Sequence, residues 1–336
     1  MNKSEVINEL INILWLSANN RLSLPSPSRK VKGREFITNT YENAFYNRVL
    51  GFKGELHYSQ RTCGVNNIIN GGWFVNQEWC DGTADFTKDT VYFTVTSSRS
   101  EKYQLLYSLI SKALPGVELY LIEYSVDAGL SKQSFTIYSF RNKQFCLIPH
   151  NKFFEQFKEK VNSSKLSSMK TKISEIPSEL KNRAYEALLI DEVDNEIYLD
   201  VLYDRYFFDI VLSGSYKKGR PTDIDHVQLN ADKKQLMFID VKEKYPYKNK
   251  VGINEDHLPF FIQMESAFRN ISDWKFDNRY LVRLTNGADD PSFRGWYHQS
   301  ISHFYEADSA GGNLGQNGTG AMETKMLSIE EMRRVV

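Results

Sequence analysis

Two short apolar segments, each carrying an acid where burial should disfavour one, constrain this chain more than any other feature. Ile224 to Leu229 and Gln235 to Val241 are rich in β-branched and large apolar residues. Asn230-Ala-Asp-Lys-Lys between them has turn chemistry, so the pair predicts two neighbouring antiparallel strands. The first strand holds Asp225, and the second runs into Asp240-Val-Lys242. Residues two apart on a strand leave from the same face, so Asp240 and Lys242 project together and the hairpin brings Asp225 beside Asp240. An acid set among Leu236, Phe238 and Ile239 needs a partner or a task, because an uncompensated buried charge is costly.

Two carboxylates and one ammonium converging on a point make a hard, oxygen-donor site. Mg²⁺ takes one or two protein carboxylates, keeps several waters and completes its shell with phosphate oxygens. A metal there polarises a phosphate and acidifies a bound water. Lys242 would orient or deprotonate that water, or neutralise charge developing on phosphorus. An isolated Asp-x-Lys is more commonly an ion pair on a solvated sheet face. The paired Asp225, the apolar strand and the flanking basic loops favour the catalytic reading here. Lys217, Lys218 and Arg220 precede the first acid, and Lys244, Lys248 and Lys250 follow Lys242, interleaved with Tyr245 and Tyr247. Residues 216–250 hold nine Lys or Arg against five Asp or Glu, which suits a phosphate track with sugar and base contacts; a solvated loop is the plainer alternative.

In order and spacing, Pro221, Asp225, the hairpin and Asp240-Val241-Lys242 resemble the PD-(D/E)XK nuclease superfamily, which includes type II restriction endonucleases and phage-defence nucleases. The resemblance covers about a third of the chain, residues 178–285. It implies a mixed four-stranded sheet flanked by helices, Mg²⁺ at Asp225 and Asp240, and hydrolysis of phosphodiester bonds, most readily in duplex DNA. A homodimer is also an expectation from resemblance. Two departures are visible. The acid after proline is displaced, so Asp223 competes with Asp225 as the first ligand. The family often places a carboxylate on the preceding helix, for which Glu186 is the candidate and Asp204 the alternative. Gln263 resembles a residue that some members place near the metal. His226 and His257 are read as structural.

The chain has 336 residues, 41% hydrophobic and 13% aromatic, with 42 basic and 42 acidic side chains. That is enough to bury a full core, and zero net charge argues against nonspecific coating of nucleic acid. No apolar run reaches the roughly 18–20 residues needed to span a bilayer, so no membrane partner is expected. Met1 to Trp15 reads as an amphipathic helix rather than a signal peptide. Cys63, Cys80 and Cys146 are scattered and odd in number, which predicts reduced thiols in a cytoplasmic protein.

Along the chain, helices are expected at 34–50, stopped by Gly51, and at 103–113, 152–161, 178–189, 197–212 and 258–270. Strands are expected within 73–98 and at 118–124, 134–140 and 280–285. The Ser/Lys-rich stretch 162–174 predicts a boundary between an N-terminal α/β recognition or partner domain, 1–165, and a nuclease domain, 175–336. The fold class expected is α/β (α+β), a mixed β-sheet core flanked by helices. Five glycines in residues 309–320 predict a loop. Glu42, then Asp81-Gly-Thr-Ala-Asp85, then Tyr92 to Thr96 loosely echo the second-half order, with Thr where the acid-x-Lys would be, so the first half is read as ordinary α/β structure or as a degenerate copy that binds rather than cuts. Arg29, Lys30, Lys32 and Arg34 are candidate backbone contacts. The function expected is a Mg²⁺-dependent restriction or phage-defence endonuclease. Its alternatives are a non-catalytic nucleic-acid- or partner-binding protein on a decayed nuclease fold, and a nuclease for RNA or modified DNA.

Overall fold

The computed structural model describes residues 1–21, 30–31, 34–35, 40–76, 85–157, 175–212, 220–271, 273–287, 292–310 and 324–335. The first half consists of α1 (Lys3–Arg21), the short β1 (Lys30–Val31) and β2 (Arg34–Glu35), α2 (Thr40–Thr62), β3 (Ile68–Asn76), β4 (Thr90–Thr96), α3 (Glu101–Ala113), β5 (Val117–Tyr124), β6 (Phe135–Arg141), β7 (Gln144–Ile148) and α4 (His150–Glu155). The second half adds α5 (Ser178–Leu188), α6 (Asn195–Arg205), which continues as a wider π-type coil over Tyr206–Leu212, then β8 (Arg220–Asn230), β9 (Gln235–Lys244) and β10 (Lys250–Asn254). After these come α7 (Leu258–Arg269), β11 (Lys275–Thr285), β12 (Phe293–Ser300), β13 (Ser309–Ala310), β14 (Thr324–Ser328) and β15 (Arg333–Val335).

The protein is a mixed α/β fold around one large mixed sheet flanked by helices. Ten strands run in the order β15-β12-β11-β9-β8-β3-β4-β5-β6-β7. The central pairs β3–β8 and β8–β9 are antiparallel, while β9–β11 and β4–β5 are parallel and joined through α7 and α3. Such parallel neighbours need a crossover of a dozen residues or more, which the two helices supply. β10, β13 and β14 form a separate small sheet.

Strand alternation sorts the core. On β9, Leu236 and Phe238 face the α3 and α7 side, in a core that also holds Phe260, Met264, Phe268 and Tyr280. Ile239 and Val241 face the other side, with Leu281, Trp296 and, against them, Tyr58 of α2. Outside that second face, α1, α2, α5 and α6 bury Val6, Ile7, Leu10, Leu14, Phe45, Val49, Phe52, Leu188, Tyr198 and Leu202 against one another.

Two expectations are corrected. The division into 1–165 and 175–336 does not separate two cores: β3 of the first half pairs along eight positions with β8 of the second, and α1 and α2 pack with α5 and α6. The expected helix over 34–50 instead spans Thr40–Thr62, running through Gly51 and Gly54. Its buried face, Phe45, Val49, Phe52 and Leu56, has helical spacing and outweighs the roughly 1 kcal/mol that each helical glycine costs. Gly54 has a packing reason as well: a Cβ there would lie 3.2 Å from the Glu243 backbone nitrogen, so glycine lets α2 lie close on β9. No helix among the described residues is long and apolar enough to cross a membrane.

Candidate active site

The β8–β9 ladder runs from Asn230 paired with Gln235 to His226 paired with Ile239 and stops there. The next pair in register is Asp225 with Asp240. Instead of extending the ladder, Asp225 turns its carboxylate inward and accepts the Val241 backbone N–H at 2.6 Å. The alternation of β8 breaks at the same place. Ile224 and Val227, three apart, bury in one core, whereas a period of two puts such residues on opposite faces. Gly71 of β3 falls opposite Asp225, between the Asn70–His226 and Gly72–Ile224 pairs. A Cβ on Gly71 would overlap the Ile224 carbonyl oxygen, so glycine permits the bend that aims Asp225.

Lys242 completes the cluster. Its Nζ lies 2.6 Å from Asp240 Oδ1 and 3.5 Å from Asp225 Oδ2. Both carboxylates are buried, while the Lys242 side chain is 30% exposed, the most exposed of the three. The Asp225 carboxyl is raised to about 7: burial is the largest cause, Asp240 and Asp223 add to it, and Lys242 and the Val241 N–H work against it. Burial opposes the charge on Lys242, yet Asp225 and Asp240 raise its pKa well above the ordinary value and hold it protonated.

A further carboxylate, Glu55, belongs to this group. It sits on α2 one residue beyond the close approach at Gly54, and burial followed by the Asp225 charge raises its pKa well above the usual range. Glu186, the expected helix carboxylate, is exposed on α5, whereas Glu55 of α2 is a helix carboxylate that lies beside Asp225. The alternative, Asp204, lies on α6 and accepts the Trp73 Nε1–H at 3.0 Å; burial lifts it to about 6. Asp223 pairs with Arg205, whose Nη2 is 3.2 Å from its Oδ2. Burial alone would raise Asp223, but the Arg205 and Lys242 charges hold it well below the usual carboxylate range. Asp225, rather than Asp223, is therefore the acid that shares Lys242 at contact distance.

Arg205 is itself buried, its guanidinium 4.5 Å from the Phe52 ring and 4.6 Å from the Trp73 ring. It helps line a cavity of about 300 Å³ beside the cluster, together with Glu55, Asn70, Asp200, Asp204 and Asp225.

The other expected residues are distributed as follows. Lys244 adjoins the cluster, its pKa lowered by burial and then by Lys242. Lys248 is exposed over the Tyr247 ring at 5.4 Å, and Lys250 Nζ lies 3.9 Å from Asp308. Lys217, Lys218, Arg29, Lys32, Asp81, Cys80 and residues 311–320 lie outside the described residues, as do the side chains of Arg220, Lys30 and Arg34. Gln263 is not at the cluster; its Oε1 accepts the Phe86 N–H at 2.7 Å. His226 packs on Tyr58, with Nε2 3.3 Å from Ser59 Oγ, and burial lowers it to about 4, leaving a neutral ring at pH 7. His257 Nε2 lies 3.7 Å from Asp256.

Among the described residues, no group of three or more His, Cys, Asp or Glu side chains is arranged as a metal cage. Mg²⁺ asks for less, one or two carboxylates with water and phosphate making up the rest. Asp225 and Asp240 supply two, Lys242 engages one oxygen of each, Asp223 adds negative charge close by, and Glu55 adds a buried carboxyl group whose charge Asp225 opposes. The donor chemistry therefore fits a hard divalent cation.

No family model matches this sequence, and no curated protein or solved structure matches it either.

Proposed function

We propose that the protein is a Mg²⁺-dependent endonuclease that hydrolyses phosphodiester bonds in DNA. The observation that carries this reading is the meeting of Lys242 Nζ with Asp240 at 2.6 Å and Asp225 at 3.5 Å, at the point where two apolar strands part. The surroundings support it. β3, β8, β9 and β11 make a mixed four-stranded group, with α2 on one face and α7 on the other. That is the kind of sheet which the PD-(D/E)XK resemblance implies, and Glu55 supplies the carboxylate on a preceding helix.

Asp225 and Asp240 would hold the ion. Bound there, Mg²⁺ supplies Lewis acidity toward a phosphate oxygen and lowers the pKa of a coordinated water. The chain's own groups do the rest. Lys242, held protonated and partly exposed, donates hydrogen bonds to an oxygen at the reacting phosphate and offsets its growing charge. The Val241 N–H fixes Asp225 in one orientation, and Glu55, whose ionisation burial and Asp225 oppose, is a carboxyl group that a bound cation would favour in its charged form. Preorganised charge of this kind costs no rearrangement when the reaction occurs.

The test is cleavage of supercoiled plasmid with and without Mg²⁺, comparing the native chain with Lys242→Ala and Asp240→Asn. The reading predicts Mg²⁺-dependent cutting that falls roughly 10²–10³-fold in each variant, with EDTA abolishing it. Retained DNA binding without cutting of any DNA or RNA substrate would instead favour a non-catalytic binder. Cutting confined to RNA or modified DNA would redirect the substrate.

A further inference from the structure

The sheet repeats itself about its centre. From the β3–β8 pair outward, β4 and β9 are antiparallel neighbours. Each is followed by a helix, α3 or α7, that returns a parallel strand, β5 or β11. An antiparallel strand follows, β6 or β12, and then an edge strand, β7 or β15. A helix precedes each unit, α2 before β3 and α6 before β8. These helices cross over: α2 packs on β9 and α6 on β4. Two antiparallel units related in this way share an approximate two-fold axis through the β3–β8 pair.

Register and burial align the units residue by residue. Phe74 pairs with Tyr92 in one and Val227 with Phe238 in the other, and all four lie in the same core. Counting from these pairs, Thr94 and Thr96 stand where Asp240 and Lys242 stand, and Gly72 stands for Asp225. The next strand agrees, since Thr94 is set against Leu121 as Asp240 is against Tyr280. Thr94 Oγ1 donates to the Tyr92 hydroxyl, and Thr96 Oγ1 donates to the Ser98 carbonyl. At these described positions the first unit therefore has neither the carboxylate pair nor the ammonium.

The two strands of a duplex are themselves antiparallel, so a protein with an approximate two-fold offers one unit to each strand. Resting on the nuclease reading above, we propose that the chain is an internal duplication with hydrolytic groups in its second unit alone, so that one chain cuts one strand and leaves a nick.

Two measurements test this. Supercoiled plasmid should pass to nicked circle as the accumulating product, at a rate proportional to protein concentration, with linear DNA arising later from independent nicks. Thr96→Val, with Thr96→Ser as a second variant and melting temperature as the check on folding, should leave the nicking rate unchanged. Direct linearisation without a nicked intermediate, a rate rising with the square of concentration, or loss of cutting in both folded Thr96 variants overturns the single-centre proposal and leaves the nuclease reading standing. No cut in any substrate overturns both. Independently of activity, Mn²⁺ binding counted by electron paramagnetic resonance should vanish in Asp240→Asn; occupancy remaining at half the native level would reveal a second equivalent site and overturn the proposal.

Discussion

At the scale of single residues, the site is built from charges that burial makes expensive and from the partners that offset them. Asp225 and Glu55 both have raised pKa values, with burial the largest cause and neighbouring negative charge adding to it. Glu55→Gln should therefore raise the melting temperature of the metal-free protein, while lowering cleavage by about 10–100-fold, as loss of a group supporting a metal site does. His226 provides a pH prediction of definite sign. Its folded pKa is about 4 against an ordinary 6.5, so the unfolded chain takes up the proton more readily. The stability it contributes is complete above pH 6.5 and is lost as pH falls from 6.5 towards 4, by roughly 3 kcal/mol. Urea unfolding midpoints measured across that window should decline in the native protein and decline less steeply in His226→Phe.

At the scale of elements, aim matters as much as identity. The break in β8 at Asp225 depends on Gly71, so Gly71→Ala should push β8 outward and cut activity far more than the change in melting temperature accounts for. Phe238→Ala, in the core beneath the site, should cost about 3–5 kcal/mol while sparing the geometry of any folded fraction. Circular dichroism melts alongside cleavage rates separate the two cases. This level also shows what the sequence could disclose. β8, β9 and α7 were legible because their apolar patterns are strong and local, and Asp240 and Lys242 because a spacing of two on a strand dictates a shared face. Glu55 was not legible: reading Gly51 as a helix stop left it outside any element, and α2 approaches β9 through Gly54, a contact of long range in sequence. The pairing of β3 with β8 across some 150 residues is equally invisible to local pattern. β7, β12 and β15 are short or weakly alternating, and tertiary pairing decides them.

At the scale of the whole molecule, one sheet takes strands from both halves and its cores mix residues from each. Thermal or urea unfolding should therefore show a single cooperative transition, the same by fluorescence and circular dichroism. The fragment 175–336, deprived of β3 and α2, should neither fold nor cut, because it exposes the β8 edge and lacks Glu55. Two separated transitions, or an active fragment, would restore the picture of independent domains. The whole-molecule view also accounts for the polarity of the site: the two helices cross between units, so the groups around the acids come from sequence positions as distant as Glu55 and Lys242.

Whether Asp225 and Asp240 hold a divalent cation is answered by a crystal soaked in Mn²⁺ and read by its anomalous signal. A peak is expected within coordination distance of both Asp225 and Asp240, with Lys242 beside it, and no such peak in Asp240→Asn. A Mn²⁺-saturated crystal with nothing between those carboxylates, and Lys242 still bridging them, would contradict a metal site there.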